Sequence, residues 1–213
     1  MKKLESSLKN MALALTGFSV VAGALLGWVN DVTAEPIAQA NAKTLSDAIA
    51  VVVPGFDNNP AEAPEVIEVN GASYKIYKAT KGGKFVGAAV ESSSNGFGGA
   101  LTVLVGFDPE GNIIDYSLLS HAETPGLGSK AADWFKKGAK GDITGKNPGE
   151  QPLVVSKDGG QIDAITASTI TTRAFLLAVN NAYAAYKNQN VDSTTGATQQ
   201  AAPADSTQVE TNN

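Results

Sequence analysis

Three kinds of hydrophobic pattern follow one another along this chain. The first is a block: the 21 residues between Lys9 and Asp31 carry no formal charge and include Met11–Leu15, Phe18–Val21 and Ala24–Val29. Wound as a helix at about 1.5 Å per residue they span about 31 Å, which matches a bilayer core. The second is a series of short runs with strand character: Val66–Val69, Tyr74–Ala79, Phe85–Ser92, Leu101–Phe107 and Ile113–Leu119. Asn70-Gly71, Gly82-Gly83, Asn95–Gly99 and Glu110-Gly111 separate them. Such short turns suit hairpins, and hence an antiparallel sheet. The third pattern is helical. Ser129–Lys137 predicts a helix with Trp134 and Phe135 turned to the core, and a last helix runs from about Thr169 to Lys187. Pro152–Val155 and Gln161–Ile165 read as late strands between these helices.

Strands followed by segregated helices define an α+β class: an antiparallel sheet with flanking helices, preceded by one transmembrane helix. The expected organisation is a cytoplasmic N-terminus (1–9), a transmembrane helix (10–30), a stalk (31–43), an exported domain (44–187) and a tail (188–213). Within the domain a helix is expected over Leu45–Val53, capped by Thr44 or Ser46 and stopped by Pro54-Gly55. The tail has no Lys or Arg and only two valines as large apolar residues, so it reads as disordered. Lys2, Lys3 and Lys9 precede the apolar block, while Asp31 and Glu35 follow it. By the positive-inside rule the N-terminus is then cytoplasmic and the domain lies outside the inner membrane. A cleaved leader ending near Val32-Thr33-Ala34 is the rival reading. The block exceeds the usual length of a leader's apolar region, which favours a retained anchor.

Composition narrows the chemistry. The net charge of −5 leaves no basic stripe for nucleic acid. With no cysteine the chain forms no disulfide, iron–sulfur cluster or thioether link. With one histidine, His121, it builds no multi-histidine metal site. A redox cofactor here must be held by hydroxyls, amides and backbone groups.

Two segments carry candidate chemistry. His121-Ala-Glu-Thr-Pro-Gly-Leu-Gly128 follows the last long strand, and Pro125-Gly126 forces a turn. It is either a tight strand-to-helix connection or a backbone surface for a flat ligand. Asp163-Ala-Ile-Thr-Ala-Ser-Thr-Ile-Thr-Thr172 leads into the last helix and crowds hydroxyls at its start. One side-chain oxygen suffices for an N-cap, so the excess of Thr166, Ser168, Thr169, Thr171 and Thr172 points to an anion at the helix N-terminus. His121 is as compatible with a packed structural role as with a place near a ligand.

The loop HAETPGLG, preceded by GFGGALTVLVGFDPEGNIIDYSLLS, resembles the FMN-binding domain of the G subunit of Rnf-type electron transport complexes. The C subunit of sodium-translocating NADH:quinone reductases is the sister family. The resemblance covers roughly residues 1–187. It implies FMN joined through its phosphate to a threonine by a flavin transferase, which recognises a motif of the form Asp-x-x-Ser/Thr-Gly-Ala-Thr. Asp163-Ala-Ile-Thr-Ala-Ser-Thr169 holds that place, with Asp163 for transferase recognition and Thr169 as acceptor. Ala167 stands where the family has glycine and Ser168 where it has alanine; the first change matters if that position needs a positive φ. Asp192-Ser-Thr-Thr-Gly-Ala-Thr198 in the tail matches the same motif, making Thr198 the alternative acceptor. By the resemblance, Glu123, Thr124, Gly126, Leu127 and Gly128 flank the flavin ring. Thr166, Ala167, Ser168, Thr171 and Thr172 then surround the phosphate.

The implied function is an electron-carrier subunit of a membrane-bound, ion-translocating ferredoxin/NAD oxidoreductase. Its partners are the other subunits, the maturing transferase and the lipid bilayer. The alternatives are the C subunit of the sodium-pumping quinone reductase, and an exported binding module without flavin.

Overall fold

A computed structural model describes residues 8–69 and 72–187; the Asn70-Gly71 turn and the tail with its Thr198 motif lie outside the described residues. The chain divides between Thr44 and Leu45 into two units. Helix α1 (Leu8–Val52) supplies the described residues of the first unit, and every one of them is exposed. Its most apolar 18-residue window has a mean hydropathy of 1.9 and buries nothing. Among the described residues it is the one helix long and apolar enough to cross a membrane.

The stalk expected at 31–43 is helical, and the helix expected to start near Leu45 does not start there. No glycine interrupts the chain between Gly27 and Gly55, and Ala34, Ala38, Ala40 and Ala42 favour helix through this stretch. The Thr44 hydroxyl donates back to the Ala40 carbonyl at 2.9 Å instead of capping a new helix. Pro36 is accommodated inside α1.

In the second unit five strands form an antiparallel meander in chain order: β1 (Glu65–Val69), β2 (Ala72–Lys81), β3 (Lys84–Asn95), β4 (Ala100–Phe107) and β5 (Ile113–His121). Both faces of this sheet are covered. The last turns of α1 bring Ala48, Ile49 and Val52 against Tyr77, Ala79, Ala89 and Leu104. On the other face α3 (Thr169–Tyr186) packs Ala174, Phe175, Ala178, Val179 and Ala182 over Val90, Val103, Val105 and Phe107. Two-sided burial explains why Val103–Phe107 reads as a continuous run without polar residues rather than an alternating one.

The segment between β5 and α3 departs from expectation. The helix predicted over Ser129–Lys137 is a 3-10 turn, Gly128–Lys130, followed by a single α-turn, α2 (Ala131–Trp134). The Asp142 carboxylate draws the chain into a loop by accepting from the Gly138 N–H at 2.6 Å. The two late strands reduce to one parallel bridge, Val155 to Ile162. The backbone of Leu153 pairs instead with the Asn180 side chain of α3, both bonds at 3.0 Å. These tertiary anchors satisfy backbone groups that a strand would otherwise have paired. Under α3, Phe175 stacks on Phe135 at 4.3 Å and meets Tyr116 edge-on at 4.9 Å. The buried Tyr116 hydroxyl donates to the Ala131 carbonyl at 2.7 Å, tying α2 to the sheet.

A two-pronged ion pair fixes the start of α3 to this segment. Arg173 donates Nε to Asp158 Oδ2 at 2.7 Å and Nη2 to Oδ1 at 2.6 Å. The hydrogen bonds from Arg173 hold the Asp158 carboxyl below the ordinary carboxylate range. A depressed folded value means that the pair's contribution is present above the unfolded value of 3.8 and is lost as pH falls through the folded one. Asp158→Asn is therefore expected to cost about 1–2 kcal/mol at neutral pH. In urea melts the gap from wild type should close under strongly acidic conditions; a gap independent of pH would refute the pairing.

Candidate functional site

The HAETPGLG loop and the junction before α3 come together. Pro125 and Gly126, the latter at φ +76°, occupy the central positions of a turn that ends with the Leu127 N–H donating to the Thr124 carbonyl at 3.1 Å. At the other segment the chain turns through Thr166 and Ala167 into Thr169, the first residue of α3. Between them lies a pocket of about 450 Å³, within the range of small-molecule sites. Its walls are Phe97, Glu123, Thr124, Leu127, Gly128 and residues 167–171.

One buried carboxylate joins the three segments. Glu123, 6% exposed, accepts from the Thr171 hydroxyl at 2.7 Å through Oε2 and from the Gly98 N–H at 3.1 Å through Oε1. The backbone around it is packed to contact. A Cβ on Gly128 would lie 2.3 Å from Glu123 Oε2, and one on Gly96 would lie 2.2 Å from Oε1. Only glycine allows the three loops to close on the carboxylate in this way.

The first turn of α3 is open. Ser168 occupies the N-cap position and is buried, yet its side chain makes no capping hydrogen bond. First-turn amides have no partner within a helix, so donors and the positive dipole end remain available at the pocket wall. Ala167 sits at φ +62°, the only non-glycine among the described residues with positive φ. The position thus does require the left-handed region, and alanine occupies it under strain. Ala167→Gly should relieve about 1–2 kcal/mol of that strain and lose part of it to unfolded-chain entropy, for a net gain of about 0.5–1 kcal/mol. Chemical denaturation measures this, and a destabilised variant would contradict the assignment.

Of the residues named from the sequence, Glu123, Thr124, Leu127, Gly128, Ala167, Ser168, Thr169 and Thr171 line the pocket. Gly126 shapes the turn and donates its N–H to Ser129 Oγ at 2.9 Å, outside the lining. Thr172 is fully buried; its hydroxyl donates to the Ser168 carbonyl at 3.0 Å and accepts from the Ile165 N–H at 3.1 Å, which locks the junction. Thr166 and Asp163 border a separate polar cleft with Trp134, Lys140, Ser156 and Lys157. The Asp163 side chain is exposed, while its carbonyl accepts from Trp134 Nε1 at 2.9 Å. His121 lies outside the lining; its Nδ1 accepts from the Glu123 N–H at 3.2 Å and so braces the loop. Phe97 and Ile170 are lining residues that sequence reasoning missed. For Phe97 the available signal was a large aromatic set between glycines in a hairpin turn.

The arrangement suits a flat ligand bearing a phosphate: an apolar rim, a buried polar floor, and an uncapped helix start carrying hydroxyls. Comparisons with known proteins agree with it. Residues 96–184 match the family described as FMN-binding domain. The G subunit of the ion-translocating oxidoreductase complex of Cereibacter sphaeroides is 36% identical, with 76% of each chain covered. Its namesake in Yersinia pestis is 35% identical over 83% of this chain and 88% of the relative. The G subunit of the proton-translocating ferredoxin:NAD(+) oxidoreductase complex of Clostridium ljungdahlii is 32% identical over 84% and 92%.

Proposed function

The chain belongs to the family of G subunits of ion-translocating oxidoreductase complexes, and from that premise we propose that Thr169 carries FMN through a phosphodiester. The protein is an electron-carrier subunit of a multi-subunit membrane complex. FMN supplies reversible uptake and release of electrons, and this chain's residues bind and orient it. The observation that carries the acceptor assignment is the position of Thr169, on the wall of the pocket at the open first turn of α3. In this reading the α3 amides and the Ser168 hydroxyl take the phosphate. Thr124, Leu127 and Gly128 flank the ring, and Glu123 holds the loops around it. Thr171 is engaged with Glu123 and sets the wall rather than binding phosphate directly.

The same reading assigns the exposed Asp163, six residues before Thr169, to recognition by a flavin transferase. The lysines before α1 and the acids after its apolar block support a cytoplasmic N-terminus, with the flavin domain on the periplasmic side of the inner membrane. The apolar part of α1 then contacts the bilayer. A complex exchanging electrons between ferredoxin and NAD while moving an ion, as the Clostridium relative's name states of that protein, is the setting we assign.

Peptide mapping by mass spectrometry tests the attachment, after co-expression with a flavin transferase and export. An FMN phosphodiester on the peptide holding Thr169 is the expected result. An adduct only on the peptide holding Thr198 would overturn the acceptor assignment, and no adduct on either would overturn covalent attachment.

A further inference from the structure

We infer that Phe97 is the side chain that lies against the flavin ring and closes the mouth of its pocket. This rests on the flavin reading above and adds a residue which that reading does not contain. At 72% exposure Phe97 is the most exposed large apolar side chain among the described residues of the second unit. A ring left so far in water gains nothing for the fold, since apolar surface is stabilising only where it is removed from solvent. It nevertheless belongs to the pocket lining, beside the half-exposed Leu127.

The turn that carries it is held stiffly. The Gly96 N–H donates to the Gly99 carbonyl at 2.8 Å, and the Gly98 N–H donates to Glu123 Oε1 at 3.1 Å. A Cβ on Gly98 would come within 2.2 Å of the Ala122 carbonyl oxygen, and one on Gly96 within 2.2 Å of Glu123 Oε1. The glycines on either side of Phe97 are therefore pressed onto the HAETPGLG loop, and the backbone that carries the ring is fixed on the rim. An aromatic side chain pre-positioned at an apolar mouth suits a flat aromatic ligand, because offset stacking adds to area burial without a further ordering cost. A flavin tethered at Thr169 has its ring confined to the reach of this pocket. Covering one side of the ring there lowers its exposure to water and to small solutes.

Flavin fluorescence of the full-length, flavinylated protein tests the inference, with flavin content fixed by in-gel fluorescence after SDS. Because Phe97 is exposed, Phe97→Trp and Phe97→Ala leave the fold intact. Indole in contact with a flavin quenches its emission by electron donation, whereas phenylalanine does so poorly. Phe97→Trp is expected to lower the emission per bound flavin several-fold, and Phe97→Ala to make it several-fold more susceptible to iodide. If both variants carry flavin yet match wild type in emission and iodide quenching, Phe97 does not touch the ring and the inference falls. A rim that serves only to dock a partner protein would give that second result. Wild-type protein without any in-gel flavin signal would instead overturn the covalent-flavin reading, and this inference with it.

Discussion

Replacing Thr169 by valine is expected to abolish covalent flavinylation: in-gel fluorescence falls to background while the protein still folds. Valine keeps the β-branched shape and removes only the hydroxyl, the atom to which a phosphodiester is made. Thr169 is partly exposed at the first position of α3. The substitution opens no buried cavity there, and its effect on stability should stay within about 0.5 kcal/mol. Thr169→Ser restores a hydroxyl at the same place and should recover part of the adduct. Thr198→Val should leave the signal at wild-type strength, because the proposed acceptor, Thr169, is the one at the pocket. Fluorescence that survives Thr169→Val and disappears in Thr198→Val would reverse the two assignments.

Glu123→Ala is expected to produce the largest loss of stability at the site. The carboxylate is buried and accepts from both the Thr171 hydroxyl and the Gly98 N–H. Truncation strands both donors and leaves a void beneath Gly96 and Gly128, whose backbones are packed onto the carboxylate. Loss of a buried, charge-assisted pair of hydrogen bonds costs about 2–4 kcal/mol. For a domain of this size that corresponds to a fall of about 5–15 °C in Tm, read by circular dichroism. Glu123→Gln keeps the shape and one acceptor, so its loss should be smaller. If Glu123→Ala melts with wild type, the carboxylate is not the joint between the glycine-rich turn, the HAETPGLG loop and α3.

The sheet was legible in the sequence because its information is local. Each of the five expected strands is present, since alternating or continuous apolar runs bounded by glycine turns leave the backbone few other ways to pair. The α1 boundary was not legible: a change from apolar to polar composition at Asp31 ends a membrane-length block without ending a helix. Pro152–Val155 and Gln161–Ile165 have strand composition, but Asn180, distant in sequence, takes the backbone groups of Leu153.

The candidate site divides in the same way. HAETPGLG and the hydroxyl-rich entry to α3 could be read from residue types, because turn chemistry and helix entry depend on neighbours a few positions apart. Among those hydroxyls, the structure placed Ser168, Thr169 and Thr171 on the pocket, Thr172 inside the junction and Thr166 on another cleft. The direction of each side chain from one turn depends on backbone dihedrals, and the positive φ of Ala167 sets that direction here. The role of Glu123 as the joint between segments, and the place of Phe97 in the lining, needed tertiary structure as well. Glu123 is 48 residues from its partner Thr171, and Phe97 stands out only once its exposure is seen beside a pocket. By itself the sequence determined the five strands, the last helix, the membrane-length apolar block and the chemistry available, all of which follow from short-range pattern. Only the tertiary structure decided which of those groups share a pocket, because contacts between distant segments depend on how the sheet, loop and last helix pack together.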